Sequence, residues 1–126
     1  AVVLPLCAKL TTLSMLGNQV GDKGAAALAG AIKSNSALTE LYLNGNSIGD
    51  AGAAAIADAL RVNGVLRRLY LYQNSIRDTG AAVLVEALRS NGALTKLDLM
   101  YNEIKEDCKS ALREAVQGRS GFNLSR

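Results

Sequence analysis

Short runs of alternating leucine recur along the chain, each followed by a polar turn and then a stretch of small apolar residues. In the clearest copy, Leu41 and Leu43 alternate with Glu40, Tyr42 and Asn44. This period of two predicts a short strand with one buried face. Gly52, Ile56 and Leu60 follow at intervals of four, which places them on one stripe of a helix facing that strand. The pattern returns every 28 residues: Leu10, Leu38, Leu66 and Leu94 align, as do Leu13, Leu41, Leu69 and Leu97, and then Asn18, Asn46, Asn74 and Asn102. A fixed period of this length means one supersecondary unit stacked on copies of itself. Each helix must return the chain to the next strand, so the predicted fold is an α/β solenoid with a parallel sheet and crossover helices.

The register divides the chain into repeats over residues 10–37, 38–65, 66–93 and 94–116, within one domain spanning 1–126. Leu4 aligns with Ile32, Leu60 and Leu88, so residues 1–9 read as the last turn of a preceding helix. The fourth repeat departs from the others. Gly24, Gly52 and Gly80 give way to Cys108, and Glu103, Lys105, Glu106, Asp107, Lys109, Arg113 and Glu114 make it far more polar. A terminal repeat faces water where the others face a neighbour, so this repeat and residues 117–126 read as a C-terminal cap. Phe122 and Leu124 are expected to add a fifth strand beside Leu97 and Leu99. The strand at Leu10–Met15 has no matching cap, and an open parallel edge is a template for another chain. Together with a first residue that is Ala, this points to a piece of a longer array, or to self-association through the N-terminal edge strand.

Recurrent polar residues read as scaffold. Asp22, Asp50 and Asp78 precede the helices and suit their N-cap positions. No second carboxylate converges on them, so no metal is expected. Asn35, Asn63 and Asn91 end the helices, where asparagine tolerates a left-handed cap. Asn18, Asn46, Asn74 and Asn102 follow the strands and are expected to form a buried amide ladder. Alanine fills the helices, yet helix axes still need ~8–10 Å against ~4.8 Å between strands. The mismatch predicts a curved array with its strands on the concave side.

Composition narrows the chemistry. Of 126 residues, 49% are apolar, enough for a core, and the net charge is only +3 with both signs interspersed. The sequence has no histidine, which removes the commonest general base and the commonest neutral metal ligand. No carboxylate pair converges on one strand face, so neither catalysis nor a cofactor is expected. Arg67, Arg68 and the tyrosines favour nucleic acid, but Glu40 and Asp98 share their face and weigh against it. Cys7 and Cys108 lie almost four repeats apart, beyond the ~7 Å Cα reach of a disulfide. The lack of stapled caps favours a reducing, intracellular and cytoplasmic setting. No stretch approaches the ~20 apolar residues of a membrane span. Asn123-Leu124-Ser125 matches a glycosylation acceptor, a weak signal that this compartment opposes.

Function is sought where the repeats vary, at the outward strand positions. These are Thr12, Ser14 and Leu16, then Glu40, Tyr42 and Asn44, then Arg68, Tyr70 and Tyr72, and finally Lys96, Asp98 and Met100 with Tyr101 beside them. Tyrosine and arginine are enriched at binding hot spots because they bury much area and keep a polar tip. Glu40, Arg68, Lys96 and Asp98 add charge register for a partner. The expected site is therefore Glu40, Tyr42, Asn44, Arg68, Tyr70, Tyr72, Lys96, Asp98, Met100 and Tyr101, anchored by Tyr42, Tyr70 and Tyr72 with Arg68 beside them.

The pattern Leu-x-x-Leu-x-Leu-x-x-Asn-x-Ile/Val, followed by an Ala-rich helix with Gly-x-x-x-Leu/Ile-x-x-x-Leu/Ile, resembles the leucine-rich repeat family over residues 10–116. The 28-residue period looks like its ribonuclease-inhibitor-like subtype. The resemblance implies a horseshoe arc that binds an unidentified protein through the concave sheet, usually inside the cell. Some related proteins stimulate a GTPase, and nothing in these residues singles out that role.

Overall fold

Each repeat folds as one strand and one helix. The computed structural model describes residues 11–15, 19–119 and 121–126. Along the chain these form β1 (Thr12–Ser14), α1 (Gly21–Ser34), β2 (Glu40–Tyr42), α2 (Asp50–Val62), β3 (Arg68–Tyr70), α3 (Asp78–Ser90), β4 (Lys96–Asp98), α4 (Glu106–Ala115) and β5 (Asn123–Ser125). The strands form one parallel sheet in chain order, with Leu13, Leu41, Leu69, Leu97 and Leu124 in register. Residues 1–9, Leu10, Leu16 and Asn18 lie outside the described residues, as does Cys7. The expected preceding helix, the cover on the outer edge of β1 and the separation of the two cysteines therefore fall outside them too. No described helix is long and apolar enough to cross a membrane.

Alternation along the strands sends every second side chain to the helices. Leu41, Leu43, Leu69, Leu71 and Leu97 are fully buried against Ile56, Ala57, Leu60, Leu84 and Leu88. Each such leucine contributes about 1.5–3 kcal/mol by leaving water. Gly52, Ile56 and Leu60 all face this core as the four-residue spacing requires. Helices pack side by side on one face, α1 on α2, α2 on α3 and α3 on α4, and the other face of the sheet stays open.

The asparagine ladder forms as expected over the described repeats. Asn74 Oδ1 accepts from the N–H groups of Asn46 (2.9 Å) and Ile48 (3.0 Å), and its Nδ2 donates to the carbonyls of Leu43 (3.0 Å) and Leu71 (2.9 Å). Asn46 and Asn102 repeat the pattern one unit away on either side.

Two expectations about the caps need correction. The aspartates do not cap their own helices, which carry no side-chain N-cap bond. Each reaches across to the next repeat instead. Asp22 Oδ1 accepts from the N–H groups of Gly49 (2.7 Å) and Gly52 (3.0 Å), and Asp50 Oδ1 from those of Arg77 (2.8 Å) and Gly80 (3.0 Å). Stacking brings each first helical turn beside the next, so a carboxylate already inside one helix finds the orphan donors of its neighbour. The terminal asparagines are not left-handed either. Asn35, Asn63 and Asn91 are extended, with φ of −86°, −87° and −107°. They form a second ladder: Asn63 Nδ2 donates to Ile32 O (2.9 Å), and Asn91 Nδ2 donates to Leu60 O (2.7 Å).

The fifth strand is present, and its anchor is Arg119. This residue stands 28 positions after Asn91 and takes over the ladder role. Its guanidinium donates to Leu88 O (3.0 Å) and Leu94 O (2.7 Å) and lies 4.8 Å from the centre of the Phe122 ring. Burial pulls its pKa below the ordinary arginine value. β5 then pairs with β4 one residue short of the repeat period, Leu124 meeting Leu97.

Candidate partner-binding face

On the open face, strict register turns a sequence repeat into rows of side chains. Residues 28 apart sit on neighbouring strands ~4.8 Å apart. One row is Thr12, Glu40, Arg68, Lys96 and Asn123, and the next is Ser14, Tyr42, Tyr70, Asp98 and Ser125. Tyr42 and Tyr70 are direct register partners, so their rings stack with centroids 4.3 Å apart and planes only 3° from parallel. An aromatic pair of this kind contributes about 0.5–1.5 kcal/mol beyond its buried area. It also forms a flat shelf on the open face of the sheet.

A polar network fixes the shelf. Tyr42 Oη donates to Glu40 Oε1 at 3.1 Å, Thr12 Oγ1 donates to Glu40 Oε2 at 3.5 Å, and Arg68 Nη1 approaches Glu40 Oε1 at 3.8 Å. The bond to Glu40 is the main reason the Tyr42 phenol is pushed up to about 12, with burial and the neighbouring Tyr70 adding to it. Losing that proton would set two anions side by side. The Arg68 side chain stays 56% exposed, so its ion pair stabilises little and its guanidinium remains open to solvent.

The other expected residues occupy separate positions. Lys96 Nζ donates to Asn123 Oδ1 and to Ser125 Oγ, both at 3.1 Å, and so clasps β5. Asp98 Oδ1 accepts from the Met100 N–H at 3.1 Å and steadies the following turn. Tyr72 is half-buried. Asn44 does not face outward: it is 6% exposed, and its Oδ1 accepts from the Tyr72 N–H at 3.2 Å. β2 ends at Tyr42, so the alternation that placed Asn44 on the face no longer holds two residues on. Met100 and Tyr101 are 39% and 74% exposed.

Tyr101 has a left-handed backbone, φ +59°, at the turn position where earlier repeats have Gly45 (φ +69°) and Gln73 (φ +58°). A tyrosine there costs more than a glycine would. That cost is accepted at the most exposed aromatic ring among the described residues.

Residues of β5 extend the face beyond what the varying repeat positions foretold. Arg68, Tyr70, Thr95, Lys96, Gly121 and Asn123 line a depression of about 500 Å³. The one-residue shortening before β5 hid Asn123 and Ser125, because the 28-residue register aligns Ser125 with the buried Leu97 instead. Among the described residues no group of three or more Cys, Asp and Glu converges as a metal site. Cys108 is a free thiol, its pKa raised by burial and by the Asp78 carboxylate.

Comparison with known proteins agrees with this architecture. A family profile described as leucine rich repeat matches residues 6–29 and 34–57. No curated protein matches the chain. Among solved structures, leiomodin-1 actin-binding site 2 superimposes with a TM-score of 0.88 at 19% identity, covering 98% of this chain and 73% of that one. The tropomodulin C-terminal domain of Caenorhabditis elegans superimposes with a TM-score of 0.83 at 12% identity, covering 94% and 74%. With the leucine rich repeat profile matched in two successive repeats and five parallel strands backed by helices, the chain has the fold of a short leucine-rich-repeat-type α/β solenoid.

Proposed function

We propose that this protein is a non-catalytic binding module that takes a protein partner on the open face of its sheet. The observation that carries the reading is the stacked Tyr42–Tyr70 pair, locked by Glu40 and flanked by an exposed Arg68. Preorganised aromatic surface binds at low entropic cost, and Tyr with Arg is the composition typical of interface hot spots. Glu40, Tyr42, Arg68, Tyr70, Tyr72 and Lys96 form the centre of this proposed site, with Asp98, Met100 and Tyr101 at its margin. Asn44 is assigned to the scaffold beneath.

Actin is the first defined partner to test, because the similar leiomodin structure is named as an actin-binding site. Tyr70→Ala combined with Tyr72→Ala is expected to weaken partner binding by at least ~2 kcal/mol, or roughly 30-fold, in a folded protein. The experiment measures binding to purified actin and affinity capture from lysate, with the native chain beside the variant. If both baits retain the same partners with equal affinity, the tyrosines are strand residues only and the face is not the site.

A further inference from the structure

We propose that the depression between β3 and β5 is an acid-recognition subsite, which receives an Asp or Glu side chain from an acidic segment of the protein partner. The proposal rests on the protein-binding reading above and specifies the chemistry that this face selects. The residues lining the depression are Arg68, Tyr70, Thr95, Lys96, Gly121 and Asn123, and none is acidic. Arg68 and Lys96 are direct register partners on neighbouring strands, an arrangement of like charges that is unfavourable by itself.

Among the described residues neither charge is well compensated. Glu40 reaches only Arg68, loosely at 3.8 Å, and does so from β2, on the side away from the depression. Lys96 Nζ spends two of its three N–H donors on Asn123 Oδ1 and Ser125 Oγ, both neutral oxygens. Among the described residues no carboxylate forms an ion pair with it. One N–H of Lys96 and most of the Arg68 fork are therefore available to a carboxylate arriving from outside. Gly121 adds no side chain to the rim, and a Cβ placed there would meet nothing within 4 Å. At about 500 Å³ the space admits a carboxylate side chain together with its water.

The flanking charges favour a peptide over a nucleic acid. A phosphate backbone carries charge at short, regular intervals, which would press successive phosphates against Glu40 and Asp98 on the same face. An acidic peptide can seat one carboxylate between Arg68 and Lys96 while its backbone crosses the Tyr42–Tyr70 shelf.

The test titrates the isotopically labelled full chain with three probes, followed by amide chemical shifts. These are an octapeptide of four Glu-Gly units, the same peptide with Gln in place of Glu, and an eight-nucleotide oligothymidylate. The Glu peptide should move the amides of Arg68, Tyr70, Lys96 and Asn123 and bind at least fivefold tighter than its Gln counterpart. Raising salt from about 50 to about 300 mM should weaken it at least threefold, as screening of solvent-exposed charges requires. Arg68→Gln should cost at least fivefold and Arg68→Lys less; because Arg68 is exposed, neither should disturb the fold.

Equal binding of the Glu and Gln peptides, shifts centred elsewhere, full affinity in Arg68→Gln, or tighter oligothymidylate binding would each overturn the proposal. A partner whose capture falls with the Tyr70/Tyr72 variant but not with Arg68→Gln would keep the binding face and remove its preference for acid.

Discussion

Alanine in place of Gly80 is expected to destabilise the protein, although the same change in most helices is favourable by about 1 kcal/mol. Gly80 lies in the first turn of α3. A Cβ there would stand 2.7 Å from Asp50 Oδ1, 3.0 Å from Ile76 Cγ2 and 3.1 Å from Asp50 Cα. Asp50 Oδ1 is also the atom that accepts from the Arg77 and Gly80 N–H groups at 2.8 and 3.0 Å. Relieving the collision means swinging the carboxylate off its cap, which costs about 1–2 kcal/mol. Crowding against Ile76 and the Asp50 backbone adds about 1–3 kcal/mol. Set against the helix-propensity gain, the net loss is about 1–4 kcal/mol.

A mutant cycle isolates the cause. Asp50→Ala alone removes the cap and should cost about 1–2 kcal/mol. In that background Gly80→Ala meets no carboxylate, so it should cost at least ~1 kcal/mol less than it does alone. Urea unfolding of the four proteins, followed by circular dichroism, measures both terms. Stabilisation by Gly80→Ala, or additivity within ~0.5 kcal/mol, would refute the reasoning. The fourth repeat already contains a comparable change. Cys108 stands at the glycine position, and there Asp78 Oδ1 keeps the Lys105 N–H at 2.8 Å while the Cys108 Sγ lies 3.9 Å from the Asp78 main-chain oxygen.

Arg119→Ala removes two hydrogen bonds and the contact with the Phe122 ring, so β5 should loosen at a cost of about 2–3 kcal/mol. Hydrogen exchange should then speed up at the Leu99 N–H, which donates to Ser125 O; unchanged protection would mean that Arg119 is not the anchor. The Tyr42 phenol, at about 12 in the folded chain against 10.0 ordinarily, makes stability depend on alkaline pH. A folded pKa raised above the unfolded one gives stability that is complete below pH 10 and lost as pH rises toward 12. Glu40→Gln should bring the Tyr42 titration back toward its ordinary value, as read by phenolate absorbance, and an unmoved transition would remove Glu40 as the cause.

Legibility in the sequence followed how local each determinant was. The alternation of Leu41 and Leu43 with Glu40 and Tyr42 identifies a half-buried strand by itself, because a period of two has one geometric meaning. The 28-residue repeat then fixes the register: equal spacing places Tyr42 beside Tyr70 before any coordinate is known. The asparagine ladder after the strands was legible for the same reason. Asn44 was not, since alternation says nothing about where a three-residue strand stops and the chain turns inward.

What the tertiary structure alone decided lies between repeats. An aspartate before a helix looks like the cap of that helix; only stacking shows that Asp22 and Asp50 serve the next one. Glycine at positions 52 and 80 looked like part of a helical stripe, and the neighbouring carboxylate 2.7 Å from its would-be Cβ gives the further reason for it. Arg119 in place of an asparagine carries no sequence signal of its own; the alternation of Phe122 and Leu124 announces β5, but not the shortened step that brings Asn123 and Ser125 beside Lys96. A repeated sequence specifies its unit through local periodicity. The contacts that join units, and the polar depression beside β5, depend on distances that exist only once the units are stacked.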